Sequence, residues 1–216
     1  MKALALLIGS LVAFSQASDD AWLTWPAARA EGIAKAAYEQ GRVGGWFDTR
    51  ILSTDRAYNY KLAATWMHHD VIRATARVLQ LTERLTDEEA RVLVAEAEAA
   101  APFVVMVEID PREGSGVIPN DWSAYLQPLR MDGSPGKAVR GTAAPKLRDV
   151  RTLAGVRKRN YDYDRYWLTF PDTHQDGTPL VSDQATHLEL AVRIAGSEGR
   201  VKWPIPALVK AKLPRK

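Results

Sequence analysis

The sequence predicts an α+β fold, in which N-terminal helices pack on a C-terminal antiparallel, Ig-like β-sandwich. Two observations predict this division. Up to about residue 102, apolar residues recur at the three- and four-residue spacing of amphipathic helices. From Phe103 the apolar period changes to two, and short segments are separated by glycine and proline with no helical pattern between them. Such consecutive strands favour an antiparallel sandwich over a parallel sheet.

The first 17 residues have the pattern of a secretory signal peptide that is cleaved after Ala17. Met1-Lys2 is a short basic start, an apolar run covers residues 3–14, and Ser15 and Ala17 supply small residues before the cleavage point. The apolar run is shorter than the roughly 20 residues of a transmembrane helix, and no later segment approaches that length. We therefore expect an exported protein, periplasmic or extracellular, with no transmembrane segment in the mature chain.

Three helices are predicted in the helical region, residues 18–102. The first covers 24–40, with a proline near its start and a glycine directly after it. The second covers about 56–81 and carries a single apolar stripe. The third begins with a capping box, in which the Thr86 hydroxyl and the Glu89 carboxylate each accept a hydrogen bond from a free backbone N–H of the first turn.

The sandwich is predicted in residues 103–203, followed by a basic tail, 204–216. The clearest strand is 186–195, whose alternating pattern puts one face in a core and the other in water. The other predicted strand segments are 46–52, which is alternatively an extended linker, and 103–109, 122–126, 137–141, 166–170 and 200–203. Because the tail contains prolines and basic residues, we expect it to be a loose terminal segment.

Charge divides the chain in the same way, because residues 18–110 carry a net charge of −5 and residues 111–216 carry +7. Outside the cytoplasm, a basic half attracts envelope polysaccharides or lipid head groups, and we expect no nucleic-acid partner. The alternative is that the two halves pack together and the charges are solvated surface. Because the chain has no cysteine, we expect no disulfide, no thiol nucleophile and no lipid on an N-terminal cysteine.

The candidate binding residues lie close together in the basic half. They are Arg157, Lys158, Arg159, Tyr161, Tyr163 and Trp167. Cationic side chains beside aromatic rings can form a groove for an anionic strand, since the cations pair with anionic groups and the rings stack on flat ones. A solvated loop and aromatic core packing are the alternative interpretation of these residues.

The sequence contains no catalytic or metal-binding motif that stands out. His68 and His69 are adjacent, so on a helix they point about 100° apart and cannot face one metal ion. His69 lies on the apolar stripe, where we expect it to hydrogen-bond within the core. His174 and His187 are single histidines that a hydrolase could combine with loop carboxylates. We expect no metal ion and no cofactor.

Four segments resemble a group of exported bacterial proteins of unknown function. They are Tyr60-Lys61-Leu62-Ala63-Ala64-Thr65-Trp66, Asn120-Asp121-Trp122, residues 163–170 ending before Pro171, and residues 188–203. In that family a helical N-terminal part precedes an Ig-like sandwich, so the resemblance implies this fold. Many of its members are lipoproteins, whereas this chain lacks the cysteine that such an anchor needs. The resemblance implies no activity and transfers no catalytic residues.

Together these observations predict an exported, non-enzymatic binding or interaction protein that contacts an envelope protein or an anionic envelope polymer. One alternative is a hydrolase that acts on envelope polymer through loop carboxylates and His174 or His187. Another is a structural subunit of an envelope assembly. A hydrolase requires a cleft where a histidine and a carboxylate converge within hydrogen-bonding distance. An interaction protein requires an exposed apolar patch or an unprotected edge strand.

Overall fold

The computed structural model describes residues 20–43, 60–111, 122–155, 164–194 and 197–211. These residues form a mixed helix and sheet structure with two antiparallel sheets, as the α+β prediction requires. Several predicted features lie outside the described residues: the signal peptide, segment 46–52, and the candidates Arg157, Lys158, Arg159, Tyr161 and Tyr163.

The helices of the described chain are α1 (Ala27–Gln40), α2 (His69–Glu83), α3 (Asp87–Ala99) and the short α4 (Ala207–Ala211). Helix α3 begins at the predicted capping box. The Thr86 hydroxyl accepts a hydrogen bond from the Glu89 backbone N–H at 3.3 Å, and the Glu89 carboxylate accepts one from the Thr86 backbone N–H at 2.7 Å. The Thr86 backbone N–H, and then the Thr86 hydroxyl, which also donates to this carboxylate at 2.7 Å, hold the pKa of Glu89 below its usual value. None of the described helices is long and apolar enough to span a membrane.

The predicted second helix, 56–81, is wrong in its first part. Residues Tyr60–Trp66 form a strand, and the helix begins only at His69. In this stretch Leu62, Ala64 and Trp66 alternate along the chain and are buried together. Over so few residues, the same apolar positions fit a helix or a strand, and pairing with a neighbouring strand decides between them.

The described strands follow one another along the chain as β1 (Arg42–Val43), β2 (Tyr60–Trp66), β3 (Phe103–Pro111), β4 (Ser123–Arg130), β5 (Val139–Arg140), β6 (Thr142–Ala143), β7 (Asp164–Phe170), β8 (Ala185–Ile194) and β9 (Ser197–Pro204). The first sheet has the order β1-β2-β3-β7-β6, and the second sheet has the order β5-β4-β8-β9. Each predicted strand from 103 onward overlaps one of these elements, although only the two residues of β5 form a strand within the predicted segment 137–141. Because β2 pairs with β3, the first sheet crosses the division predicted at residues 102 and 103.

The two sheets share one hydrophobic core, and the other face of the first sheet packs on helices. Alternate residues of β3, such as Val105 and Val107, are buried in the core with Leu190 and other residues of the second sheet. The intervening residues Val104 and Met106 are buried instead in a second cluster with α2 and α3. The first sheet is therefore covered on both faces, which excludes water from its central strand.

A bend at Gly141 carries the chain from the second sheet to the first. Strand β5 ends at Arg140 and β6 begins at Thr142, so one extended segment contributes to both sheets. A Cβ atom at Gly141 would lie 2.8 Å from the ring of Phe170. Only glycine allows this close approach, which closes one side of the sandwich.

The tail predicted from residue 204 is not loose in its first part. The backbone N–H of Ile205 donates to the Thr186 carbonyl at 3.0 Å, and the Ile205 side chain is buried in the core. Residues Ala207–Ala211 then form α4. Composition alone missed this part because the apolar side chain of Ile205 gains more from burial than the neighbouring prolines cost. Residues 212–216 lie outside the described residues.

We expect Gly41→Ala to destabilise the protein. Gly41 ends α1, and a Cβ atom there would lie 1.7 Å from the Ala64 carbonyl oxygen. Because backbone has to move, the free energy of unfolding should fall by roughly 1–3 kcal/mol in urea denaturation.

Gly32→Ala is the matched control in the same helix, because nothing lies within 4 Å of the added Cβ atom. Alanine is the better helix former, so this variant should gain up to about 1 kcal/mol. A loss for both variants would contradict the contact assigned to Gly41.

Candidate functional site

A surface pocket of about 450 Å³ opens at the beginning of strand β7. We call it the outer pocket. It is lined by Arg148, by Ala154, and by residues 164–167 of the strand. Pockets for small ligands occupy roughly 300–1,000 Å³, so the outer pocket is large enough for one. Its lining combines two guanidinium groups, one carboxylate and aromatic rings.

The outer pocket lies along a part of β7 that, among the described residues, is paired with a strand on one side only. Strand β3 pairs with the whole length of β7. On the other side of β7, strand β6 pairs only with Leu168 and Thr169. The 3₁₀ turns Pro145–Asp149 and Arg151–Leu153 lie beside the remaining part of β7 and carry Arg148 and Ala154 to the pocket. A short edge strand and two turns thus form its walls.

Arg165 is neutralised by a buried carboxylate behind it. Its Nε lies 3.2 Å from Oε1 of Glu108, which is directly opposite in the β3–β7 register. Glu108 is 0% exposed, and Arg165 is half-buried. This burial lowers the pKa of Arg165, because a guanidinium loses hydration there. An ion pair in such a place serves mainly to keep the carboxylate from being buried alone.

Arg148 is the cation that the outer pocket offers to a ligand. Its side chain is exposed, and it forms no ion pair with any residue that the structure describes. Tyr166 packs edge-on against Trp122, with the ring centres 5.0 Å apart. Burial, and then the charge of Asp164, raises the pKa of Tyr166. Its hydroxyl therefore remains protonated and can donate a hydrogen bond.

Trp167, the predicted binding residue within the described chain, packs in the core. It is 4% exposed, and its indole N–H donates to the Leu153 carbonyl at 3.0 Å. This bond ties the turn Arg151–Leu153 to β7, so Trp167 shapes the outer pocket without presenting a stacking surface. The other candidates belong to segment 156–163, and described residues on both sides of that segment, Ala154 and Asp164, line the pocket.

The sequence prediction missed Arg148, Arg165 and Glu108. A signal for Glu108 was present, because it is a lone carboxylate in the apolar strand that begins at Phe103. All residues from 103 to 109 are buried, and charged residues are almost never fully buried without a partner. The identity of the partner could not be read, because Arg165 is 57 positions away along the chain.

A smaller space, the inner cavity, lies behind the outer pocket. It provides about 30 Å³ for the centres of water-sized groups. It lies between the first sheet and helices α1 and α2, and its lining includes Tyr38, Thr65, Thr75, Glu108, Ala154 and Arg165. Ala154 and Arg165 line both spaces. Their side chains therefore form the boundary between the inner cavity and the outer pocket.

A second polar cluster lies where α2 begins. His69 Nδ1 is 2.7 Å from Oε1 of Glu98, and Arg73 Nε is 3.6 Å from the same oxygen. Next to them, His68 packs against Trp66 with ring centres 5.3 Å apart. Burial disfavours the charged imidazole and lowers the pKa of His68. Within the described ranges no three potential metal ligands come together.

The predicted histidines His174 and His187 do not meet a carboxylate among the described residues. His187 Nδ1 is 3.0 Å from the Thr186 hydroxyl, and the backbone N–H of His174 donates to the Thr178 carbonyl at 2.7 Å. Among the described residues, the contact between His69 and Glu98 is therefore the histidine–carboxylate pair that most resembles a catalytic arrangement. Neither the outer pocket nor the inner cavity is lined by a histidine.

We expect Arg165→Met to lower the free energy of unfolding by roughly 1–3 kcal/mol in urea denaturation at neutral pH. The variant removes a guanidinium whose Nε lies 3.2 Å from the fully buried Glu108 carboxylate.

Arg148→Met is the control for this measurement, because Arg148 is exposed and should change stability by less than about 0.5 kcal/mol. An equal loss for Arg148→Met and Arg165→Met would contradict the role assigned to the ion pair with Glu108.

Comparison of the chain with protein-family models, with curated protein sequences and with solved structures finds no match. The resemblance to exported bacterial proteins of unknown function therefore stays a prediction.

Proposed function

We propose that this protein is an exported, non-enzymatic binding protein whose outer pocket takes an anionic group of an envelope polymer. Its export is inferred from the N-terminal sequence pattern, and the Ig-like character of the sandwich belongs to the same proposal. Two antiparallel sheets that share one core support that character. The choice of an anionic ligand is supported by the exposed guanidinium of Arg148 on the wall of the outer pocket.

The observation that carries the proposal is the position of Arg148. It is an exposed guanidinium on the wall of a pocket large enough for a ligand, and it has no ion-pair partner among the described residues. Arginine binds carboxylates and phosphates through two parallel hydrogen bonds, which gives both affinity and orientation. Arg165 contributes less, because Glu108 already balances its charge.

The remaining polar groups of the pocket suit a sugar. The Asp164 carboxylate can accept hydrogen bonds from sugar hydroxyls, and the Tyr166 hydroxyl can donate to a ring or glycosidic oxygen. A polymer that carries both acidic groups and hydroxyls could pair with Arg148 and form hydrogen bonds with Asp164 and Tyr166. The basic residues predicted at 157–159 lie in the segment between Ala154 and Asp164, so they are close in sequence to both walls.

Polygalacturonate is a suitable probe, because it carries one carboxylate on each sugar. We expect the purified protein to bind it, with an affinity that weakens as the salt concentration rises, since surface charge pairs are screened. Arg148→Ala should weaken binding about tenfold, the effect of losing a charged hydrogen bond of roughly 1.4 kcal/mol. Isothermal titration calorimetry measures both effects.

Lys146→Ala is the matched control, because Lys146 is an exposed cation in the same 3₁₀ turn but does not line the outer pocket. It should bind nearly as the unmodified protein does. Equal losses for Lys146→Ala and Arg148→Ala would mean that general charge, and not the pocket, attracts the polymer. Binding that is insensitive to salt would contradict the proposal directly.

A hydrolase is the second candidate, favoured by the 2.7 Å contact between His69 and Glu98. With the proton on Nδ1 donated to Glu98, the lone pair on Nε2 can take a proton from water. Both side chains are about one quarter exposed, at 26% and 25%, so solvent reaches them. A structural role in an envelope assembly has no comparable observation in its favour and stays a prediction.

If the hydrolase hypothesis holds, the protein will release reducing ends from polygalacturonate or from an envelope polymer, and His69→Gln will abolish the release. His187→Gln is the control, because His187 is exposed and meets no carboxylate among the described residues. It should leave the rate unchanged. Polymer binding without any release would leave the binding function as the better account.

A further inference from the structure

Thr65 differs from the other buried threonines of the protein. The hydroxyl of Thr75 donates to the Val71 carbonyl at 2.9 Å, and that of Thr152 donates to the Leu93 carbonyl at 3.1 Å. Thr65 is 5% exposed, yet its hydroxyl has no hydrogen-bond partner among the described residues. A buried hydroxyl without a partner costs about 1–3 kcal/mol, so this position calls for an explanation.

The Thr65 hydroxyl belongs to a polar group of side chains around the inner cavity. Glu108, on the neighbouring strand, is fully buried and lines the same cavity, and Tyr38 reaches it from α1. The register places Thr65 opposite Met106, two residues before Glu108, so both polar side chains lie on the helix-facing side of the first sheet. This side is otherwise largely apolar.

The size of the inner cavity limits what can occupy it. The centres of water-sized groups can occupy about 30 Å³ of the inner cavity, and one water molecule requires about 10–15 Å³ by the same measure. The cavity is therefore large enough for a water molecule but too small for a ring. A single hydroxyl or amino group with its carbon atom fits. Such a group can donate to the Glu108 carboxylate and exchange a hydrogen bond with the Thr65 hydroxyl.

The inner cavity adjoins the outer pocket at Arg165 and Ala154, which line both. A ligand whose anionic group meets Arg148 would therefore have its next few atoms near this boundary. The half-buried Arg165 is a long side chain that can shift while it keeps its charge near Glu108. The two spaces are thus arranged to bind two ends of one small ligand unit.

We propose that the inner cavity is a specificity subsite, which takes a hydroxyl or amino group that lies a few bonds from the anionic group of the ligand. Thr65 and Glu108 recognise this donor, and Arg148 recognises the anion. This assignment rests on the function proposed for the outer pocket. It names the ligand class as an anionic group with a nearby hydrogen-bond donor, such as a polyol phosphate or an aminoalkyl phosphate.

Glycerol 3-phosphate and propyl phosphate test the proposal, since they share the phosphate and the three-carbon chain but differ in their hydroxyls. We expect glycerol 3-phosphate to bind about tenfold more tightly, as measured by isothermal titration calorimetry, the effect of one well-made hydrogen bond to a charged group. Phosphoethanolamine and ethyl phosphate repeat the comparison for an amino group and show which donor the subsite prefers.

Thr65→Val removes the hydroxyl and keeps the shape of the side chain. It should abolish the preference for glycerol 3-phosphate and leave the affinity for propyl phosphate unchanged. Its stability should be equal or higher, because an unpaired buried hydroxyl is removed, so urea denaturation separates this effect from misfolding. Thr65→Ser retains the hydroxyl and should keep the preference.

Three results would overturn the assignment. If the unmodified protein binds glycerol 3-phosphate and propyl phosphate equally well, the inner cavity does not recognise a hydrogen-bond donor of the ligand. The anion-binding function would still stand. A preference that persists in Thr65→Val would place donor recognition elsewhere. Binding of polygalacturonate without binding of either phosphate would reject the named ligand class. Failure of all three probes would instead reject the function proposed for the outer pocket.

Discussion

The burial of strand β3 on both faces is the constraint on which the rest of the structure depends. It is the central strand of the first sheet, with β2 and β7 as neighbours, and its residues 103–109 are all buried. One face contributes to the core shared with the second sheet, and the other packs on the helices. A carboxylate in this strand is out of reach of water, and Glu108 forms an ion pair with Arg165 on the adjacent strand.

This ion pair connects the core to the surface. Arg165 points inward to meet Glu108, yet it belongs to the part of β7 that has no paired strand opposite β3 among the described residues. The same guanidinium therefore borders a buried polar cavity on one side and an open pocket on the other. The lining of the pocket and the electrostatic balance of the core thus share one residue.

The sequence predicted the elements whose signals are local. The capping box of α3 is one, because its two hydrogen bonds join residues three positions apart. The alternation in β8 is another, since a strand with one buried face shows its period directly. Strand β2 was missed because it is short and apolar, and its identity is decided by pairing with β3, about 40 residues later. Composition does not reveal which side chains face a pocket, and the candidates from Arg157 to Tyr163 lie outside the described residues.

The sequence by itself determined the mixed α+β class, the positions of α1 and α3, and most strands from residue 103 onward. Only the tertiary structure decided that Glu108 meets Arg165, that Trp167 is buried, and that Arg148 lines a pocket without an ion-pair partner among the described residues. The physical reason is that these outcomes depend on strand register and on contacts between residues distant in the chain. The local sequence pattern indicates which side chains are apolar enough to be buried. The pairing of strands in the assembled sheets determines which of them are buried and which residues they contact.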